Sequence, residues 1–121
     1  MRQSNELADL YIAVWNESDA DKRRQIIREL WADDGTECTK ARETKGYAEL
    51  EARIKSSHEK NVRDGGCRFR SCQNADENHA VIKFDWEMIR IKDDSIRATG
   101  SYVLLLNEAG KIRGAYFFSD S

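Results

Sequence analysis

His58 is the side chain of this sequence best suited to moving a proton, because imidazole titrates near neutrality. Tyr47, Leu50, Ile54 and His58 step by three, four and four residues, so they share one helix face. That places His58 on an apolar face near a helix C-terminus, where a histidine also serves as a partner for the helix dipole. Arg90 is the second candidate. It continues the alternating row Ile82, Phe84, Trp86, Met88, which puts a cation at the inner end of an apolar strand face. Such a cation needs an anion, carbonyl groups or water. Its planar fork suits a ligand carboxylate; reaching solvent or pairing with an acid such as Glu43 is the competing role. Tyr11, Trp15, Trp31 and Trp86 are either ordinary core aromatics or the walls of a pocket, with indole N–H groups that seek partners when buried.

Other pairings carry less chemistry. Asp33 and Asp34 are adjacent, so their carboxylates diverge, and helix termination with turn capping explains them better than joint catalysis. Asp85 and Glu87 share the outer strand face with Lys83, which suits cross-strand salt bridges or an interface. Cys38, Cys67, Cys72, His58 and His79 lack metal-ligand spacing. Gly65-Gly66 reads as a turn, not a phosphate loop. No metal or cofactor is expected.

The elements that must position these residues follow from periodicity. Leu7, Leu10, Tyr11, Val14 and Trp15 form the stripe of a first helix, about Ser4 to Trp15. Ser18 or Asp19 caps a second that runs to about Leu30. Asp33-Asp34-Gly35 is expected to end it, with a short strand at Thr36 to Thr39. A third helix covers about Gly46 to Glu59. Four strands follow, at Cys67–Gln73, His79–Ile91, Ile96–Leu106 and Lys111–Phe118, joined by short polar turns as an antiparallel meander. Gly100 and Gly114 inside strands point to bulges or bends. Helices first and strands afterwards argue an α+β fold. A curved antiparallel sheet covered by three N-terminal helices would leave a funnel between the layers.

Composition sets the outer bounds. At 121 residues the chain reads as one domain, 1–121, large enough for a real core. A formal charge of −2 with mixed signs gives no nucleic-acid signature. No apolar run reaches the ~20 residues of a membrane span, and the start from Met1 to Glu6 is polar, without a signal-peptide core. Three cysteines, an odd number, suggest free thiols and a cytoplasmic setting.

Four segments in order carry a family likeness: Tyr11 to Trp15, Trp31-Ala32-Asp33-Asp34-Gly35-Thr36, Gly46 opening the third helix, and Gly110-Lys111-Ile112 opening the last strand. With them the chain resembles the nuclear transport factor 2-like superfamily, in particular its SnoaL-like and ketosteroid isomerase-like branches. The resemblance covers nearly the whole chain. It implies a cone-shaped cystatin-like roll with an apolar pocket, and a homodimer packed through the outer sheet; Val81, Ile89 and Val103 are the apolar residues expected there. The isomerase branch uses a tyrosine and a protonated aspartate as an oxyanion hole, with a second aspartate as base. Tyr11 falls on the tyrosine position. Thr39 falls on the base position and Tyr102 on the protonated-acid position. A threonine hydroxyl is too weak a base to abstract a proton near neutral pH, so that particular reaction is not expected, while a Tyr11/Tyr102 oxyanion pair survives.

The candidate catalytic set is therefore Tyr11, His58 and Tyr102. The candidate ligand-lining set is Trp15, Trp31, Thr39, Ile54, Phe84, Trp86, Met88 and Arg90. Three functions stay open: an isomerase, cyclase or dehydratase acting on a small apolar carbonyl compound, including one with a carboxylate tail; a non-catalytic small-ligand module; and a dimerisation scaffold whose cone is filled by side chains.

Overall fold

The computed structural model describes residues 3–120. Met1 and Arg2, part of the polar start, lie outside the described residues, as does Ser121. Helix α1 spans Ser4–Asn16 and buries Leu7, Ala8, Tyr11, Ile12, Val14 and Trp15. Helix α2 spans Ala20–Leu30, with the Asp19 carboxylate accepting from the amides of Asp21 at 2.9 Å and Lys22 at 3.2 Å. That cap satisfies two of the donors every helix start leaves free. Asn16 does more than interrupt the chain. Its carboxamide donates to Phe69 O and accepts from Phe69 N, both at 2.7 Å, and so pins α1 to the sheet.

The strands are β1 (Trp31–Cys38), β2 (Glu43–Lys45), β3 (Cys67–Ser71), β4 (Asp76–Asn78), β5 (Val81–Arg90), β6 (Ile96–Leu106) and β7 (Ile112–Ser119). Helix α3 (Gly46–Ser57) lies between β2 and β3 and continues as a π-helical turn, His58–Arg63. The sheet is open and curved, in the order β2-β1-β7-β6-β5-β3, with β4 also paired to β5. The α+β class and the antiparallel meander stand as read. One pairing differs: β1 runs parallel to β7, so the sheet is mixed. β2 and β4, expected as loop, are short strands.

The largest local departure is at β1. Helix α2 ends at Leu30 and the strand begins at Trp31 with no loop. Asp33-Asp34-Gly35 does not stop a helix; it forms a bulge within β1. Trp31 pairs with Ile112 and Thr36 with Gly114, so β1 takes five steps where β7 takes two. The two aspartates are exposed on the bulge. A Cβ on Gly35 would sit 2.9 Å from both Ile112 O and the Trp31 ring, which is why glycine ends the motif. Beyond the bulge the alternation restarts with Gly35 and Glu37 inward.

Of the two strand glycines singled out in the sequence, Gly114 flanks an irregularity, because β7 carries an extra residue between Ile112 and Gly114 opposite Leu106 and Leu105. Register shifts lie at Met88/Ile89 and at Leu105/Leu106. Gly100 pairs with Trp86 and is a close-approach site instead: a Cβ there would sit 2.5 Å from Trp86 Cζ2 and would overlap Phe118 O. Ile89, expected on the outer face, is completely buried and cannot contribute to an interface. On that face Arg70 and Glu87 form a 2.8 Å ion pair, and Asp85 binds Ser101 and Asn74.

Two substitutions test this account. Gly100→Ala should lower the unfolding free energy by about 1–3 kcal/mol, because neither the indole nor the backbone carbonyl can retreat. His79 and Ala80 both have positive φ, 49° and 62°, in the two-residue β4–β5 hairpin. Ala80→Gly should raise stability by up to about 1 kcal/mol, since alanine is strained there. Urea unfolding of the two variants beside the parent chain measures both.

Candidate functional site

The cone contains a cavity of about 210 Å³. Helix α1 supplies Ile12 and Trp15. Arg53 and Ser57 come from α3, and Asn61 from the π-helical turn. The sheet supplies Phe69, Trp86, Met88, Ala98, Tyr102, Phe117 and Ser119. The wider π turn lets the helix keep facing the cavity past Ser57; Asn61 Nδ2 donates to Ser57 Oγ at 3.2 Å. Aromatic contacts build the wall. Trp86 stacks on Phe117 at 5.5 Å and meets Phe69 edge-on at 6.0 Å, while Phe84 stacks on Tyr102 at 5.9 Å.

A polar array sits in this apolar setting. Glu37 has no exposed surface. Its Oε2 accepts from the Tyr102 hydroxyl at 2.9 Å, and its Oε1 lies 3.4 Å from Arg53 Nε. Arg53 lies over the Trp15 ring, 5.3 Å from its centroid. Tyr11 meets Tyr102 edge-on at 4.7 Å. The Tyr11 hydroxyl is buried beside that of Tyr102 but outside hydrogen-bonding geometry. Burial pushes both phenols well above their ordinary pKa. The negative charges around them, Glu37 foremost for Tyr102, push the same way, and Arg53 opposes. Both tyrosines are therefore neutral hydroxyls at physiological pH. The indole nitrogens of Trp15, Trp31 and Trp86 are buried with no partner among the described residues.

Of the residues singled out in the sequence, Trp15, Trp86, Met88 and Tyr102 meet at the cavity. Tyr11, Trp31, Ile54 and Phe84 pack behind it as core. His58 and Arg90 lie elsewhere, and Thr39 lines a second hollow beside this cavity. Thr39 belongs to the β1–β2 turn, where its hydroxyl accepts from Ala41 N and Arg42 N, both at 3.2 Å. Arg90 sits at the β5–β6 turn, bonded through its backbone to Ser95 and Asp94. The inward row ends at Met88, where the register shifts, and Arg90 does not line the cavity. His58 is buried at the start of the π turn and does not line the cavity either. Burial lowers its pKa, and the charges of Arg23 and Arg63 add to this, partly offset by Glu59 and Glu17.

Glu37 and Arg53 escaped the sequence reading. Both had a signal. Leu50, Arg53, Ile54 and Ser57 share one helical stripe, and Glu37 stands two residues past Gly35 in a strand. Opposite charges on two apolar faces mark a buried pair. Among the described residues no three His, Cys, Asp or Glu side chains converge to hold a metal ion.

No family model matches the chain, and no curated protein sequence does. Solved structures do. A SnoaL-like family protein from Agrobacterium tumefaciens, provisionally assigned as an isomerase, is 27% identical, with all of both chains covered and a TM-score of 0.88. A nuclear transport factor 2-like protein of unknown function from an Exiguobacterium species matches at 16% identity, over 95% of this chain and 98% of that one, TM-score 0.71. A provisionally assigned polyketide cyclase from Sinorhizobium meliloti matches at 12% identity, over 96% and 99%, TM-score 0.70. The last two likenesses concern the fold alone.

Two measurements probe these environments. Glu37→Leu strands the Tyr102 hydroxyl and Arg53 together, so unfolding free energy should fall by roughly 3 kcal/mol. Glu37→Gln, which keeps an acceptor, should cost less. His58 is held neutral in the fold, so below its ordinary value of 6.5 the unfolded chain takes up the proton first. Stability is then complete above that pH and declines as pH falls toward the lowered folded pKa. The melting temperature of His58→Gln should decline less steeply across that window.

Proposed function

We propose that this chain, whose fold is that of the SnoaL-like proteins of the nuclear transport factor 2-like superfamily, binds a small apolar carbonyl compound and moves a proton on it. This is chemistry of the isomerase or cyclase kind. The observation that supports it most is Tyr102, which lines the cavity and whose hydroxyl donates at 2.9 Å to the buried Glu37 carboxyl. A hydroxyl between a cavity and a carboxylate can relay a proton. The substrate carbon gives its proton to the Tyr102 oxygen as the Tyr102 proton passes to Glu37 Oε2. One negative charge moves from the carboxylate to the substrate as an enolate, within reach of the Arg53 cation. Returning the proton at a different carbon completes an isomerisation and restores Glu37. Tyr11 backs Tyr102 and keeps its ring in place.

Binding without turnover is the second reading. It is favoured by Glu37 having no surface on the cavity and by threonine at the family's base position. An open cavity speaks against a cone merely filled by side chains. The chain is further proposed to pair with a second copy through the outer sheet, where Val81 and Val103 are half-buried on the face of Lys83, and to act in the cytoplasm, consistent with three free cysteines.

A thermal-shift screen of apolar ketones, followed by α-carbon deuterium exchange of the hits, tests the reading. Enzyme-dependent exchange should fall about 100-fold or more in Tyr102→Phe and in Glu37→Gln, with affinity changed only a few-fold. Binding with no exchange in the parent chain would leave the binding module.

A further inference from the structure

Beside the inner cavity lies a second, larger hollow of about 670 Å³, and Arg53, Phe117 and Ser119 line both. The hollow exists because β1 and β7 part company. Their pairing ends at Cys38 and Tyr116, and β7 runs on to Ser119 while β1 turns away through Thr39–Arg42 into β2. One wall is therefore that turn, the other the aromatic end of β7, and Arg53 contributes from α3.

The charge of this outer hollow is one-sided. Lys40, Arg42 and Arg53 line it, and among the described residues no carboxylate does. Lys40 and Arg42 are exposed and pair with no acid among the described residues. Arg53 uses Nε on Glu37, and its two terminal amino groups have no hydrogen-bond partner among the described residues. The turn carrying Lys40 and Arg42 is itself fixed by the Thr39 hydroxyl and by the bond from Thr39 N to Arg42 O at 2.9 Å. Unpaired guanidinium donors beside an apolar cavity match a ligand with an apolar body and an anionic end.

We infer that the ligand is an amphipathic carboxylate: its apolar carbonyl body fills the inner cavity and its carboxylate extends outward to Lys40, Arg42 and the terminal amino groups of Arg53. This rests on the inner cavity being the ligand site, as proposed above. The anion site assigned here lies on the β1–β2 turn and α3, far along the chain from the strand-end arginine at position 90.

A matched pair of probes separates the two ideas. 5-Oxo-5-phenylpentanoate and its methyl ester share one body and differ in charge. Tryptophan fluorescence titrations of the full chain should show the acid binding about 10-fold tighter than the ester, the sum of two exposed charge contacts. Added salt should weaken the acid and spare the ester. In the Lys40→Gln/Arg42→Gln double variant most of that difference should disappear, leaving only what Arg53 supplies, with the ester's affinity unchanged. Both side chains are exposed, so this variant retains the fold, and unchanged ester binding verifies that. Equal binding of acid and ester by the parent chain overturns the anion site and leaves the cavity standing. An acid preference undiminished in the double variant overturns the assignment to Lys40 and Arg42. If neither probe binds, the anion site and the cavity reading fail together.

Discussion

A carboxyl group with no solvent contact must be matched by donors, and Glu37 is matched by two. Removing such a group from water costs several kcal/mol unless hydrogen bonds and an opposite charge replace the lost hydration. Tyr102 comes from β6 and Arg53 from α3, so the replacement requires sheet and helix to be docked together. Neither layer can satisfy Glu37 alone. The array therefore couples the closure of the cone to the geometry of its polar end. Tyr102 is oriented by the same bond, and Arg53 is held over Trp15, at the junction of the two hollows.

The bulge in β1 is what delivers Glu37. With Asp33-Asp34-Gly35 looped out, β1 can leave α2 directly, bury Trp31 and Ala32, and still resume alternation with Glu37 facing inward. The exposed aspartates need no catalytic role to explain them; they hydrate the loop. Gly35 is the one residue in the motif that sterics dictate. The same economy of space holds at Gly100, where the missing side chain admits the Trp86 indole, and so shapes the aromatic wall.

Much of the architecture could be read locally. The stripes of α1 and α3, the Asp19 cap and the long β5–β6–β7 meander follow from spacing that needs no knowledge of distant residues. The cavity residues Trp15, Trp86, Met88 and Tyr102 followed from those faces together with the family likeness. The failures share a cause. Thr39 and Arg90 were placed by counting, and each lies past a point where the strand stops being regular: Thr39, in the turn that ends β1, lines the outer hollow and not the inner cavity, and Arg90 lies beyond the shift at Met88/Ile89. A skipped residue in the pairing leaves no periodic trace in the chain that carries it. His58 was placed on a buried face, but a helix buries more than one direction, and its side chain feels the charges of Arg23 and Arg63 and does not line the cavity.

By itself the sequence determined the order of the three helices and the longer strands, the inward faces of their regular stretches and the α+β layering, because helical and strand periods are local properties of the chain. Only the tertiary structure decided that β1 joins β7 in parallel, that Glu37 meets Tyr102 and Arg53, and that the turn at Lys40 and Arg42 lines a hollow beside the cavity. Those facts join residues 16, 65 and more positions apart. Partners at such separations are selected by the energy of packing and of satisfying buried charge, which no single stretch of sequence contains.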